Sequence, residues 1–221
     1  YIQNNIKLNA LIPSSLSYDN YVNNPSSAAY SWASINGGEE YNKNLSGLTL
    51  ETNSKIYSTK SSFYYKKFKS NENRPFNYLI EDSNTNGIRH ISTFSKNNFI
   101  INLGIDYSKE NYKWETYKFY GTLSEVTINN QEEKRYNISF FTQTNYTFNN
   151  KNTSIQFGVS SNKIKYSWKL LHSVIDPLIS QNYSYGNILS PRISLNQKLN
   201  NQSIYINISH GYSSPNIDET L

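Results

Sequence analysis

Hydrophobic and polar positions alternate with a period of two along much of this chain, most clearly from Phe99 to Tyr107. Phe99, Ile101, Leu103, Ile105 and Tyr107 share one parity, while Asn98, Asn102, Gly104, Asp106 and Ser108 hold the other, with Ile100 the exception. Period two predicts a β-strand. The stretch from Tyr136 to Val159 repeats the pattern twice. Tyr136, Ile138, Phe140, Tyr146 and Phe148 stand against Asn137, Ser139, Gln143, Asn145 and Thr147, with Phe141 the one large side chain on the polar parity. After Asn149-Asn150-Lys151-Asn152, Ile155, Phe157 and Val159 resume against Ser154, Gln156, Gly158 and Ser160. A short polar turn between two alternating runs predicts an antiparallel hairpin. A third hairpin joins Ile193, Leu195 and Leu199 to Ile204, Ile206 and Ile208 through Asn200-Asn201-Gln202, with Tyr205, Asn207 and Ser209 on the opposite parity.

The remaining chain fills in around these elements. Ile6 to Tyr18 reads as a strand kinked near Pro13, and Asp19 to Gly38 as a Ser/Asn-rich connection. Leu48, Leu50 and Thr52 lie on one parity and Tyr57, Thr59, Ser61, Phe63 and Tyr65 on the other; the slip marks either a bulge or a break between strands. Lys66 to Pro75 reads as a loop, and Phe76–Ile80 and Ile88–Phe94 as strands around a bend at Asn84–Gly87. Ser95-Lys96-Asn97 is a tight turn. Ser108–Arg135 and Ser161–Pro191 read as long polar, charged excursions.

Tight turns near Asn97, Asn150 and Asn201 therefore recur at roughly fifty-residue intervals with long excursions between them. That rhythm, together with strand length, predicts an all-β fold: an antiparallel transmembrane β-barrel segment with short periplasmic turns and long extracellular loops. Four two-residue steps from Phe99 to Tyr107 span roughly 27 Å, or about 20 Å of height at a tilt near 40°, which suits a lipid-facing band. The band also begins and ends on rings, as interfacial girdles do. The rival is a secreted β-sandwich or adhesin-like binding module whose apolar faces meet each other, although such a fold shows turn signals every 8–12 residues or so.

Composition narrows the function. The 221 residues include no Cys and no Met but 20 Tyr and 10 Phe, with a net charge of +5. Mean hydropathy of -0.70 is compatible with a membrane barrel, in which only alternate residues meet lipid. No apolar run has the length of a membrane helix. The lysines (Lys60, Lys66, Lys67 and Lys69; Lys109 and Lys113; Lys163 and Lys165) read as spread over turns and loops, and no nucleic-acid-binding motif accompanies them. His90, His172 and His210 lie far apart, so no metal-ligand spacing is present. There is no nucleophile elbow, phosphate loop or Cys nucleophile, and the adjacent pairs Glu39/Glu40 and Glu132/Glu133 diverge as neighbours on a strand do. These features point away from an enzyme, a cofactor and a nucleic-acid partner. The chain opens on Tyr1 and stops at Leu221, and residues 1–221 read as one partial barrel domain of a longer protein.

Near the C-terminal end the residues carry a resemblance. Ile208-Ser209-His210-Gly211-Tyr212-Ser213-Ser214-Pro215, followed by Ile217-Asp218-Glu219-Thr220-Leu221, resembles the barrel segment of TonB-dependent outer-membrane receptors. In that family a strand ends in Ser-x-Gly-Phe-x-x-Pro and leads into a loop starting Glu-Glu-Thr; here Tyr212 replaces the Phe and Asp218 the first Glu. Leu189-Ser190-Pro191-Arg192-Ile193-Ser194-Leu195 is similar to the Ser-Pro-Arg opening of the preceding strand, and Ile175-Asp176-Pro177-Leu178 to the loop before it. The resemblance implies roughly ten strands of a plugged barrel of about 22, in the bacterial outer membrane. It further implies import of a scarce nutrient, most often a ferric siderophore, energised by the TonB complex through an N-terminal plug outside these residues. Partners would then be that complex, the nutrient and outer-membrane lipid, with no cofactor. A ligand site in this segment is expected among loop aromatics and cations: Trp114, Tyr117, Arg135, Trp168, Tyr183 and Tyr185.

Overall fold

A computed structural model describes residues 2–12, 15–119, 123–150 and 152–213. The Pro13 kink, Lys151 of the central turn and the Ser214–Leu221 end of the motif lie outside them. The chain forms β1 (Ile2–Leu11), two short helices α1 (Tyr18–Asn23) and α2 (Tyr30–Ala33), then β2 (Gly38–Asn53), β3 (Tyr57–Asn73), β4 (Tyr78–Lys96) and β5 (Phe99–Phe119). It continues through β6 (Leu123–Thr147), β7 (Thr153–Ser173), β8 (Ser180–Ser184), β9 (Ile188–Leu199) and β10 (Gln202–Ser209). All pairings are antiparallel in one open sheet, ordered β1-β2-β3-β4-β5-β6-β7-β9-β10, with β8 on the upper part of β7. The described residues contain no helix long and apolar enough to cross a membrane, which says nothing of strands.

The sheet has two chemically distinct faces. Pairing register places Leu48, Phe63, Ile88, Tyr107 and Ile138 in one cross-strand row, with Leu103, Thr142 and Val159 two rows below. This outer face leaves Leu103 46%, Phe140 53% and Phe157 51% exposed, and among the described residues no second sheet covers it. Among the described residues, the opposite parity carries every buried non-glycine side chain, apolar and polar alike, from Leu79, Ile164 and Trp168 to Ser70, Asn162 and Ser194. With no second layer to supply cover, one-sided burial means that the sheet curls around this inner face. Arg89 on β4 and Tyr205 on β10 accordingly line one cavity of about 530 Å³. The facing that distinguishes a barrel wall from half of a sandwich is thus observed.

Three inner positions show how the curl is packed. Tyr64 sits opposite Gly87, Phe141 opposite Gly104 and Arg192 opposite Gly158. A Cβ on Gly104 would lie 2.1 Å from the Phe141 ring, so the large side chain that broke the polar parity of β6 lies flat over a residue without one. On the outer face, the polar positions of β2–β4 hydrogen-bond among themselves: Thr52 with Thr59 (2.7 Å), Ser61 with His90 Nδ1 (2.7 Å) and Ser92 with His90 Nε2 (2.9 Å). Mutual pairing lowers the cost of turning these groups toward hydrocarbon.

Several sequence expectations change. The first strand ends at Leu11, and Tyr18 opens a helix capped by Ser17, whose Oγ accepts from Asn20 N. The slip between Thr52 and Tyr57 is a hairpin turn, since Thr52 pairs with Thr59 across it. Lys66–Asn73 and Asn84–Gly87 are strand rather than loop and bend, because β3 and β4 pair through both stretches without interruption. The largest revision concerns the excursions. Ser108–Phe119, Leu123–Arg135 and Ser161–Ser173 continue as strand, so the asymmetry lies in tall hairpins rather than long loops. β5 has 21 residues, about 66 Å of strand and roughly 50 Å of height at a 40° tilt, twice an apolar band of about 25 Å. At the other end the turns are short, and Asn97 and Asn200 adopt left-handed φ of 53° and 46°, a conformation that Asn tolerates.

Candidate functional site

The tall hairpins carry the inner parity above the band, and register stacks it into three adjacent rows. Glu81, Trp114, Gln131 and Leu170 form the upper row across β4 to β7; Ser83, Tyr112, Glu133 and Trp168 form the middle one. Thr85, Glu110, Arg135, Tyr166 and Tyr183 form the lower row, which reaches β8. Rings and ionised groups thus alternate along one wall.

Hydrogen bonds fix the polar members. Arg135 Nη2 donates to Glu133 Oε2 at 2.7 Å, and its Nη1 lies 3.6 Å from Glu110 Oε2. Gln131 Nε2 donates to the other Glu133 oxygen at 2.9 Å, and Ser83 Oγ donates to Glu110 at 2.8 Å. The guanidinium stands 5.5 Å over the Tyr112 ring, whose hydroxyl donates to Glu81. Glu133 is only 5% exposed, so the pair is shielded on the carboxylate side. Burial alone would lower the Arg135 pKa, but the hydrogen bond and charge of Glu133, with Glu110 beyond, hold it above its usual value. Burial, then the hydrogen bond to Glu81, pushes the Tyr112 phenol far above its ordinary range, keeping it a neutral donor.

The six residues expected to form a site fall into three groups. Trp114, Arg135 and Trp168 lie on the inner wall, Trp168 being 8% exposed and packed with Leu170 and Tyr166. Tyr183 and Tyr185 join Tyr166 in an edge-to-face cluster, with ring centroids 4.6 Å apart for Tyr183–Tyr185 and 5.9 Å for Tyr166–Tyr185. Tyr117 occupies the other parity, where its hydroxyl donates to Glu115 at 2.8 Å beside Lys113. All except Tyr185 sit on strands rather than loops. Tyr112, Tyr166, Glu81, Glu110 and Glu133 escaped sequence reasoning. Their signal was the parity itself: Tyr112 is two residues before Trp114, and Glu133 two before Arg135. Two carboxylates, Glu133 and Glu110, lie against the one guanidinium of these rows, so Arg135 is neutralised by its own neighbours rather than free to draw in an anion. Among the described residues no group of three His, Cys, Asp or Glu side chains could hold a metal ion. The wall offers ring faces and hydrogen-bond groups, the chemistry of binding rather than of bond making.

Comparison with known proteins agrees with this architecture. Residues 3–221 match the family model described as TonB dependent receptor-like, beta-barrel. No curated protein matches the chain by sequence. Similar solved structures include the ferric citrate transporter FecA in unliganded form, with TM-score 0.68, 14% identity, and 90% of this chain and 31% of that chain covered. The copper transporter OprC gives 0.66, 13%, 81% and 31%, and the ferric yersiniabactin uptake receptor FyuA from Yersinia pestis 0.62, 8%, 76% and 28%. At these identities the likeness is one of fold, and the chain spans less than a third of each of these structures.

Proposed function

The chain belongs to the TonB-dependent receptor-like β-barrel family, whose barrels lie in the outer membrane of Gram-negative bacteria and are transporters rather than enzymes, and from that premise we propose that it forms part of a receptor importing a ferric siderophore. Uptake would be energised by the TonB complex acting on a plug formed by other parts of the protein. Structures of similar fold include a ferric citrate transporter and a ferric yersiniabactin uptake receptor, which makes iron chelates the first class to try.

The observation that carries the reading is the three-row wall of the tall hairpins. Tyr112, Trp114, Tyr166 and Tyr183 give broad rigid faces at low entropic cost, and the ion pairs hold the strands that present them. Because Glu81, Glu110 and Glu133 outnumber Arg135, this wall favours a chelate with rings or hydroxyls at its periphery over one recognised by negative charge alone. The test is accumulation of radiolabelled iron by cells whose only iron receptor is the intact protein, supplied in turn with ring-bearing, hydroxamate and citrate chelates. Uptake of a ring-bearing chelate should require the receptor and collapse with a proton uncoupler. Trp114→Ala with Tyr166→Ala should weaken its binding by about tenfold or more, as loss of aromatic anchors does. Absence of uptake for every chelate, or an unaltered double variant, contradicts the reading.

A further inference from the structure

The outer face at and just above the rim marked by Tyr107 and Tyr136 carries a charge that the chain does not balance. On β5, β6 and β7 it presents Lys109, Lys113, Lys134, Lys163, Lys165 and Lys169, against Glu115 and Glu132. Lys113 pairs with Glu115 at 2.8 Å; the other five have no ion-pair partner among the described residues. The inner face differs, with Arg89 on Asp106 and Arg135 on two carboxylates. Lys109, Tyr136 and Lys165 occupy one cross-strand row, about 10 Å from end to end, and the Lys109 ammonium stands 5.5 Å from the Tyr136 ring centroid. Lys163 lies one row lower, opposite Ile138. Beneath these cations is a shallow groove of about 390 Å³ lined by Tyr107, Tyr136, Ile138, Lys163 and Lys165 together with Asn137.

A patch with cations above and rings and an isoleucine below, set at the upper edge of the lipid-facing band, matches the two-part chemistry of a lipid with a phosphorylated headgroup. We propose that Lys109, Lys163 and Lys165 hold the headgroup phosphate of a lipid in the outer leaflet, with one acyl chain lying against Tyr107 and Ile138. Lysine suits this task, since its stem follows the apolar surface while its ammonium reaches the charged layer. Clustered cations repel one another until an anion covers them, so the bound phosphate also relieves strain within the patch. The assignment needs only the outer-membrane placement of the band and is independent of the nutrient.

Native mass spectrometry of the intact receptor in neutral detergent tests it, using a diphosphorylated glucosamine-disaccharide lipid, its dephosphorylated form and inorganic phosphate as separate probes. The diphosphorylated lipid should be retained, the dephosphorylated form released, and inorganic phosphate should neither replace the lipid nor bind measurably. Combined Lys109→Gln, Lys163→Gln and Lys165→Gln should cut retention at least about tenfold, since each lysine near an anionic lipid surface contributes roughly fivefold. The matching Lys→Arg triple should retain the lipid, as should Lys67→Gln with Lys69→Gln, whose ammonium groups already face Asp82 at 3.8 and 3.5 Å. Circular dichroism of every variant reports the fold. Undiminished retention in the glutamine triple, equal binding of the dephosphorylated lipid, or displacement by inorganic phosphate overturns the proposal.

Discussion

Leu103→Lys and Asn102→Lys place the same charge on adjacent residues of β5 and should differ sharply in cost. Leu103 is the middle of the five outer positions from Phe99 to Tyr107 and is 46% exposed in the sheet, so hydrocarbon completes its surroundings at the band's midpoint. A lysine on the lipid face at that depth costs about 2–4 kcal/mol. Asn102 points inward, where its Oδ1 accepts from Thr93 Oγ1 at 2.7 Å. Its replacement forfeits that bond, about 0.5–1.5 kcal/mol, while the ammonium reaches water or polar neighbours. Leu103→Gln separates the charge from the loss of the apolar side chain. The assay is reversible urea unfolding of the intact receptor into phospholipid vesicles, extrapolated linearly to zero denaturant. A Leu103→Lys penalty exceeding that of Asn102→Lys by about 0.5–3.5 kcal/mol is expected. Equal penalties, or a larger one for Asn102→Lys, refute the facing from which everything above is built.

Two further outcomes follow from particular contacts. Gly104→Val should cost about 1–3 kcal/mol by driving Phe141 off the inner surface of β5, and Phe141→Ala in the same chain should recover part of that loss, measured in the same unfolding assay. Glu115 is held below its ordinary value of 4.5 by the hydrogen bond from Lys113, then that from Tyr117, against the opposing effect of burial. A lowered carboxylate binds fewer protons in the folded than in the unfolded protein, so its contribution is present above about pH 4.5 and lost as pH falls through the lower folded value. Glu115→Gln should therefore flatten the acid limb of the stability profile below about pH 5, and an unchanged limb would show that the pair contributes nothing.

The band was legible in the sequence because hydrocarbon imposes a rule that only alternation of apolar and polar residues satisfies. Phe99–Tyr107, Tyr136–Val159 and Ile193–Ile208 each carry it, and each forms the expected strand or hairpin. Above the band that rule lapses. In Lys109-Glu110-Asn111-Tyr112-Lys113-Trp114 the contrast between faces is charge and amide against ring and carboxylate, which a hydropathy reading takes for loop. What keeps this stretch in register is cross-strand bonding invisible in one strand alone, such as Tyr112 to Glu81 and Asn111 Nδ2 to Asn84 Oδ1 at 3.0 Å. Asn84–Gly87 misled for a related reason: Gly87 serves to receive the Tyr64 ring from β3 rather than to turn the chain. Individual aromatics and Arg135 could be picked from composition, but their assembly depends on partners supplied by neighbouring strands. The same blindness scattered the lysines, which alternate as Lys163, Lys165 and Lys169 on one outer face of β7.

The most direct measurement is a nitroxide scan of β5 in the intact receptor, reconstituted in lipid, with single cysteines from Asn98 to Ser108; this segment contains no native cysteine to interfere. Collision with oxygen, which concentrates in hydrocarbon, should peak at positions 99, 101, 103, 105 and 107, and collision with a water-soluble nickel chelate at the residues between them. A profile without two-residue periodicity, or one with the two collision maxima exchanged, would mean that the isoleucine-bearing face does not meet lipid, and the outer-membrane barrel wall described here would be wrong.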